Sequence, residues 1–401
     1  MALTLSNRAR FTAVVVAAIA LIIGAVLLNP TSTILHGTDI SPDTVVARVQ
    51  TTARAYSDTL RALLHATRAD PANLDAAKKA ARATIDEGRN AGDSRMVGAA
   101  LGILRPFLVK PDAETLYLAA TARQYQHDFN GALALLDQAL TLDPANINAR
   151  LSRATIQTVL GRFELAAADC QSIQTGALIG VGFLCQSTAM LLTNQAPAIY
   201  KRLKIVTSAP QLLDPNLKPW ALGLMGEIAA LQGDRPSARQ HLQDVLTLNP
   251  LAIRERLILA DLMLQDGEGL TVTTLLQDAP PTDGVLIRRV LAGQAQGQTD
   301  DADTAVLAKR FKLNLDLGLT AHAREEARYY LQIAHDPATA LQRAQVNWGL
   351  QHEVDDASLL IDAAMAAGQP AAALPVLQWM AAEGVVIPSL TIPDAVRKAA
   401  P

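Results

Sequence analysis

Aromatic and charged residues are scarce in this chain of 401 residues. Phe, Tyr and Trp make up 4% of it although hydrophobic residues make up 50%, so Ala, Leu, Val and Ile carry most of the apolar content. Charged residues account for 18%, below the ~25% of an average globular protein, but the apolar fraction is too high for a disordered chain. The net charge of −3 supplies no positive field for a phosphate backbone, which argues against nucleic-acid binding.

Cysteine is nearly absent. Cys170 and Cys185 are the only two, which excludes a disulfide-dense scaffold and a four-cysteine zinc site. Their spacing fits neither a CxxC motif nor a metal finger. Two interpretations stay open: two buried free thiols, or one disulfide in an oxidising compartment.

Catalytic motifs are missing as well. The seven His form no HExxH, HxH or His-x3-His spacing, and GxSxG, P-loop and EF-hand motifs are absent. Gly180-Val181-Gly182 is an incomplete dinucleotide fingerprint, and residues 300–303 lack the Gly and Glu of a calcium loop. We expect no catalytic residue, cofactor or metal. An enzyme whose site is assembled from scattered side chains is the alternative.

One long apolar run is present, at residues 11–28 (FTAVVVAAIALIIGAVLL). As a helix it would span ~27 Å, close to the ~30 Å hydrocarbon core of a bilayer. Arg8 and Arg10 precede it and no Lys or Arg follows closely, so the positive-inside rule places the N-terminus in the cytosol. We predict an uncleaved signal anchor. A cleaved signal peptide and a buried core helix are the alternatives.

A repeat of 34 residues runs through the middle of the chain. Residues 113–146 and 147–180 form two consecutive units, and residues 219–252 form a third in the same frame. Within a unit, small residues stand at positions 8 and 20 and apolar ones at 24 and 27. The residues that agree are Ala120, Ala154 and Gly226 at 8, Ala132, Ala166 and Ala238 at 20, and Leu136, Cys170 and Leu242 at 24.

These offsets resemble those of the tetratricopeptide repeat family. Weaker units begin near residues 78, 253, 286, 321 and 354, with one irregular unit between 147 and 219. The resemblance implies an all-α fold: an α-solenoid of antiparallel helical hairpins, preceded here by one transmembrane helix. With the anchor, the chain is similar to bacterial membrane-anchored repeat proteins, so we expect the inner membrane and a periplasmic repeat domain.

The positions have physical reasons. The two helices of a hairpin cross at close range, so positions 8 and 20 require Gly or Ala. The turn between them needs a residue that tolerates a positive φ, such as Gly161 or Gly233. The expected organisation is a cytosolic segment at 1–10, the anchor at 11–28, a spacer and lead-in helix at 29–74, the array at 75–385 and an irregular tail at 386–401.

The resemblance also implies a concave groove lined by the first helix of each unit. Its candidate peptide-binding residues are Tyr117, Thr121, Gln124, Tyr125, Asn148, Thr155, Trp220, Arg254, Asp261, Glu325 and Tyr329. Exposed aromatic residues there would form a binding hot spot, and packing between hairpins is the alternative. Arg153 and Asp169 stand at positions 7 and 23 of one unit, which favours an ion pair within the hairpin over a ligand contact.

We therefore expect a non-enzymatic scaffold that binds a protein or peptide partner and holds it near the membrane. The alternatives are a membrane adaptor of reversed topology on the cytosolic side, a helical-repeat nucleic-acid binder, and an enzyme with an unrecognised site. The first alternative can be separated by topology mapping. The second requires a basic stripe along one face of the array.

Overall fold

The computed structural model describes residues 57–91, 94–209, 211–298 and 300–399. The predicted anchor at 11–28 lies outside these residues. In the described ranges, none of the helices combines the length and the apolar character needed to span a bilayer. The described residues from 57 onwards belong to one compact unit.

Its architecture is a series of antiparallel helical hairpins. The first part contains α1 Asp58–Ala69, α2 Leu74–Ala91, α3 Ser94–Leu104, α4 Ala113–Tyr125, α5 Phe129–Leu142, α6 Ile147–Val159 and α7 Phe163–Gln171. The middle contains α8 Ile179–Ala189, α9 Ala196–Ser208, α10 Lys218–Leu231, α11 Arg235–Leu248, α12 Ile253–Gln265 and α13 Gly269–Leu276. The last part contains α14 Asp283–Ala295, α15 Asp301–Asp316, α16 Ala323–Gln332, α17 Pro337–Trp348, α18 Val354–Ala366, α19 Leu374–Ala382 and α20 Asp394–Lys398.

Close helix crossings explain the small residues of the repeat. Ala120 and Ala132 are fully buried where α4 crosses α5. At Gly226 of α10 a Cβ atom would lie 2.9 Å from Leu242 Cγ of α11, closer than real Cβ contacts allow. An alanine at position 8 of this unit would therefore require the Leu242 side chain to shift.

The turn inside each hairpin ends one helix and begins the next. Position 15 has a positive φ, 72° at Gly161 and 78° at Gly233, and His127 fills the same place with a φ of 58°. The next residue caps the second helix: the Asp128 side chain accepts the Gly131 N–H at 3.0 Å. In the unit expected from 286, the equivalent glycine is Gly297 and the helix begins at Asp283, so the frame starts three residues earlier.

The irregular unit between 147 and 219 consists of α8 and α9. Its turn runs from Met190 to Gln195 and is longer than the turns of the regular units. A disulfide between Cys170 of α7 and Cys185 of α8 joins this unit to the preceding one, and both residues are buried. Of the two interpretations of the cysteine pair, the structure contains the disulfide.

The chain after residue 385 differs from the expected irregular tail. It contains α20, and its Val396 is fully buried. Val386 N donates to Leu192 O at 2.7 Å, and Ser389 N donates to Leu231 O at 3.0 Å. Apolar side chains such as Ile387 give this segment a buried face, so it packs back onto the repeats instead of leaving them.

The last hairpins also close onto an earlier one. His352 N donates to Val159 O at 2.7 Å. The His352 ring lies 3.1 Å from Leu160 O, which is 192 residues earlier in the chain. Trp379 packs beside Phe163, with ring centroids 6.2 Å apart. A Cβ atom at Gly161 would collide with the Trp379 indole. The C-terminal hairpins therefore pack against the turn between α6 and α7, which contains Leu160 and Gly161.

Candidate functional site: the concave surface

The first helices of successive hairpins pack on one another, whereas the second helices lie outside them. The first helices therefore lie side by side, on the face that the tetratricopeptide resemblance predicts to be the concave one. This surface has two chemically different stretches, one on α10 to α18 and the other on α4 and α6.

On α10 to α18, arginines alternate with carboxylates; we call this set the arginine ladder. Its arginines are Arg254, Arg288, Arg324 and Arg328, and its carboxylates are Glu227, Asp261, Glu353, Asp355 and Asp356. Arg254 pairs with Glu227 of the preceding unit, with Nη2 3.0 Å from Oε2. Arg288 pairs with Asp261 in the same way, with Nε 2.8 Å from Oδ1.

Asp261 connects three units. Besides Arg288, it contacts Arg328 at 3.3 Å, although one hairpin lies between the helices that carry Asp261 and Arg328. Arg328 also contacts Asp355 at 3.4 Å. The charged groups of this stretch therefore have their partners within the chain, and a bound peptide would have to compete for them.

The base of the ladder is buried. Asp356 is 1% exposed and accepts Arg324 Nε at 2.6 Å, Asn347 Nδ2 at 2.6 Å and the Glu353 N–H at 2.7 Å. Burial raises the pKa of Asp356 to about 6, although the positive charge of Arg324 acts to lower it. Burial also opposes ionisation of Glu353, but Arg324 and Arg254 hold its pKa below the ordinary value. For Asp355, which is half exposed, Arg328 and Arg324 outweigh desolvation and lower the pKa.

The ladder was only partly found from the sequence. Arg254 and Asp261 were candidates, whereas Arg288, Arg324 and Arg328 were not. A usable signal exists: Glu227 and Arg254, Asp261 and Arg288, and Arg328 and Asp355 are each 27 residues apart and opposite in charge. For Glu227 and Arg254, that spacing joins position 9 of one unit to position 2 of the next.

Three polar side chains on α4 and α6 form no hydrogen bond to another described helix; we call them the open stretch, formed by Gln124, Asn148 and Thr155. Gln124 is half-buried and Asn148 is exposed, and their amides have no hydrogen-bond partner in the described part of the chain. Thr155 is exposed and donates only to Leu151 O of its own helix, at 2.8 Å. These groups can donate to and accept from a bound chain.

The candidate aromatic residues mainly pack between helices. Tyr117 lies against the cores on both sides of α4, and Tyr125 packs under Arg89, whose guanidinium is 5.4 Å from the ring centroid. Trp220 Nε1 donates to Thr188 at 3.2 Å, and Tyr329 is 7% exposed.

The remaining candidates divide between packing and exposure. Thr121 is buried and donates to Tyr117 O at 2.9 Å, whereas Glu325 is half-buried on α16. Arg153 pairs with Asp169 at 2.8 and 2.6 Å and reaches Asp137 of the preceding unit at 2.7 Å. The hydrogen bonds to Asp169 and Asp137, together with the charges of these carboxylates, raise the pKa of Arg153 further and keep it protonated. The pair therefore joins helices within and between hairpins.

The sequence fragments that resembled other sites have structural roles. Asp300 caps α15 by accepting the Asp303 N–H at 3.0 Å. Gly180 and Gly182 lie inside α8, and a Cβ atom at Gly182 would meet the Gln174 backbone. Over the described ranges, no cluster of His, Cys, Asp and Glu could hold a metal ion.

No protein-family model matches the sequence, and no curated protein matches it. Solved structures are similar to it at low identity. A tetratricopeptide repeat protein from Parabacteroides merdae is 14% identical over 72% of this chain and 98% of its own, with a TM-score of 0.35. The Cut9–Hcn1 hetero-tetramer of the APC/C is 14% identical over 81% of this chain and 69% of its own, with a TM-score of 0.39.

A third structure, Naa15/Naa10 bound to HypK-THB, is 13% identical over 82% of this chain and 61% of its own, with a TM-score of 0.23. At these values the likeness supports no inference about function. The assignment of the fold rests on the helix bounds, the glycine turns and the close crossings of this chain. By these features the described part of the protein is a tetratricopeptide-like α-solenoid.

Proposed function

We propose that this protein is a non-enzymatic scaffold that binds a protein partner on the open stretch of its concave surface. The observation that carries the proposal is the contrast in pairing. Every arginine of the ladder contacts a carboxylate of the chain, whereas the amides of Gln124 and Asn148 form no hydrogen bond with a described residue. Unpaired polar groups on a concave surface suit the backbone of an extended peptide.

Photo-crosslinking tests this proposal. A photoreactive residue at Gln124 of the full-length protein should give an adduct with one discrete partner in intact cells. Thr155→Arg should abolish the adduct, because the long charged side chain projects from the exposed face of the next first helix.

Thr141→Arg is the matched control. Thr141 is exposed on the outer helix α5 and donates to the carbonyl of Asp137 at 2.8 Å, the same local bond that Thr155 makes on α6. The adduct should survive Thr141→Arg. An adduct that is equally reduced by both variants, or that never forms at Gln124, would contradict partner binding at this surface.

The scaffold is further proposed to be tethered to a bacterial inner membrane by residues 11–28, with the hairpins in the periplasm. The disulfide between Cys170 and Cys185 supports this placement because disulfides persist in oxidising compartments. Alkaline phosphatase fused after residue 401 should then be active. Inactivity of that fusion, together with activity of a cytosolic reporter at the same position, would favour the reversed topology.

A further inference from the structure

The α8–α9 hairpin carries a one-sided charge. Residues 170–213 contain no Asp or Glu, in a chain whose net charge is −3. Lys201, Arg202 and Lys204 all stand on α9 and are exposed. None of the three has an ion-pair partner in the described ranges. Their positive charge is therefore available to something outside the chain.

Large apolar side chains are exposed next to these bases. Ile205 is 62% exposed, Ile179 64% and Leu212 53%. Ile205 and Arg202 also line a shallow groove of about 300 Å³, whose opposite wall is Phe183 of α8. Single exposed apolar residues are common, but here they coincide with the unpaired bases.

These residues form one surface. Ile179 lies one helical turn before Phe183, so both are on the same face of α8. The loop after α9 lies against the start of α8, since a Cβ atom at Gly180 would be 3.2 Å from Leu217 Cδ1. We call the surface the basic–apolar patch; its members are Ile179, Lys201, Arg202, Lys204, Ile205 and Leu212.

We propose that the basic–apolar patch binds the surface of an anionic phospholipid bilayer. Bases that lack carboxylate partners are attracted to anionic headgroups, and exposed aliphatic side chains beside them can enter the boundary with the acyl chains. The predicted anchor ends 29 residues before α1, which limits the separation of α1 from the bilayer to about 100 Å even for a fully extended chain. This proposal rests on the proposed tether only because the tether would hold the patch close to a bilayer. The chemistry of the contact depends on the patch residues alone.

Flotation of the full chain with lipid vesicles separates the two proposals. With phosphatidylcholine vesicles, flotation requires only the anchor. With vesicles that also contain phosphatidylglycerol, the patch adds a second contact. Flotation with the anionic vesicles but not with the neutral ones would contradict the proposed tether and support lipid binding by the patch. Flotation with neither kind of vesicle would overturn both proposals.

A spin label at residue 208 tests the patch when the anchor inserts. Ser208 is exposed on α9, and the two native cysteines form a buried disulfide, so Ser208→Cys provides the single reactive thiol. With phosphatidylglycerol present, relaxation of the label by a water-soluble nickel chelate should fall several-fold. The fall should disappear in the variant that combines Lys201→Gln, Arg202→Gln and Lys204→Gln, because these substitutions remove the charge without touching the core.

Thr141→Cys is the control position, and its label should stay accessible in both kinds of vesicle. Equal accessibility of the label at 208 in neutral and anionic vesicles would overturn the proposal. So would protection that persists in the triple variant. If an added acidic peptide protects the label while phosphatidylglycerol does not, the patch binds an acidic protein segment and the lipid assignment is wrong.

Discussion

The two stretches of the concave surface come from the same repeat but have opposite properties. On α10 to α18, carboxylates at one unit meet arginines of the next, and Asp261 joins three units. On α4 and α6, by contrast, Gln124 and Asn148 find no hydrogen-bond partner among the described residues and Thr155 bonds only its own helix, although Glu114 of α4 pairs with Arg82. The repeat thus determines where a side chain lies. The charge of that side chain determines whether it pairs with a neighbouring unit or remains available to a partner.

The largest effect is expected from breaking the ladder at its base. Arg324→Ala leaves the buried Asp356 without its bidentate partner, and removing one member of a buried pair costs about 3–5 kcal/mol. Urea unfolding of the variant measures this loss. Arg82→Ala is the control, since Arg82 and Glu114 form a half-exposed pair worth less than about 1 kcal/mol. Similar losses in both variants would mean that the buried base of the ladder contributes no more than a half-exposed pair.

The next effect concerns the border between the stretches. The disulfide closes a loop of 15 residues, which restricts the unfolded chain and should stabilise the protein by about 3 kcal/mol. Replacing both Cys170 and Cys185 by Ser should lower the unfolding free energy by that amount. A reducing agent should destabilise the natural protein equally and leave the double variant unchanged. Two titratable thiols in protein that was never reduced would rule out the bond.

A smaller effect is expected from pH. The folded-state pKa values of Glu353 and Asp355 lie below their ordinary values, so their contribution is complete above about pH 4.5 and is lost as the pH falls further. Unfolding free energies measured between pH 6 and 3 in Asp355→Asn should fall less steeply than in the natural protein. Because Asp355 is half exposed and screened, the difference should stay below about 1 kcal/mol. An unchanged slope would remove Asp355 from the ladder.

The smallest effect on stability is expected in the open stretch. Thr155→Arg changes an exposed side chain that makes only a local bond, so its unfolding free energy should stay within about 0.5 kcal/mol of the natural protein. Chemical unfolding of the same preparation used for crosslinking checks this. A large destabilisation would mean that Thr155 supports the fold, and the loss of an adduct would then say nothing about binding.

The fold could be predicted because the repeat places constraints at fixed spacings. Ala120, Ala132 and Gly226 mark the crossings, and Gly161 and Gly233 mark the turns, so both helices of a hairpin follow from local sequence. The unit that fails this pattern is the irregular α8–α9 hairpin, whose turn has no such glycine. The interval between the units that begin at 147 and 219 predicted where this hairpin lies, but the length of its turn was not predicted.

The closure could not be predicted, because its contacts join distant residues. His352 meets Val159 and Leu160, and nothing in either segment alone specifies the other. The tail after 385 was expected to be irregular because its prolines interrupt any helical periodicity. The buried positions of Ile387 and Val396 therefore do not stand out in the sequence. The burial of candidate aromatic residues such as Tyr329 could not be predicted either, because helix position alone does not say whether a neighbouring hairpin covers the ring.

The most direct test of the central claim compares two crosslinking positions on the same concave surface. A photoreactive residue is placed at Thr155 in the open stretch or at Arg254 in the ladder of the full-length protein, and adducts are compared in intact cells. Both side chains are exposed, so both can react. The account predicts a discrete protein adduct from position 155 and little from 254. An adduct from 254 with equal or greater yield would contradict it.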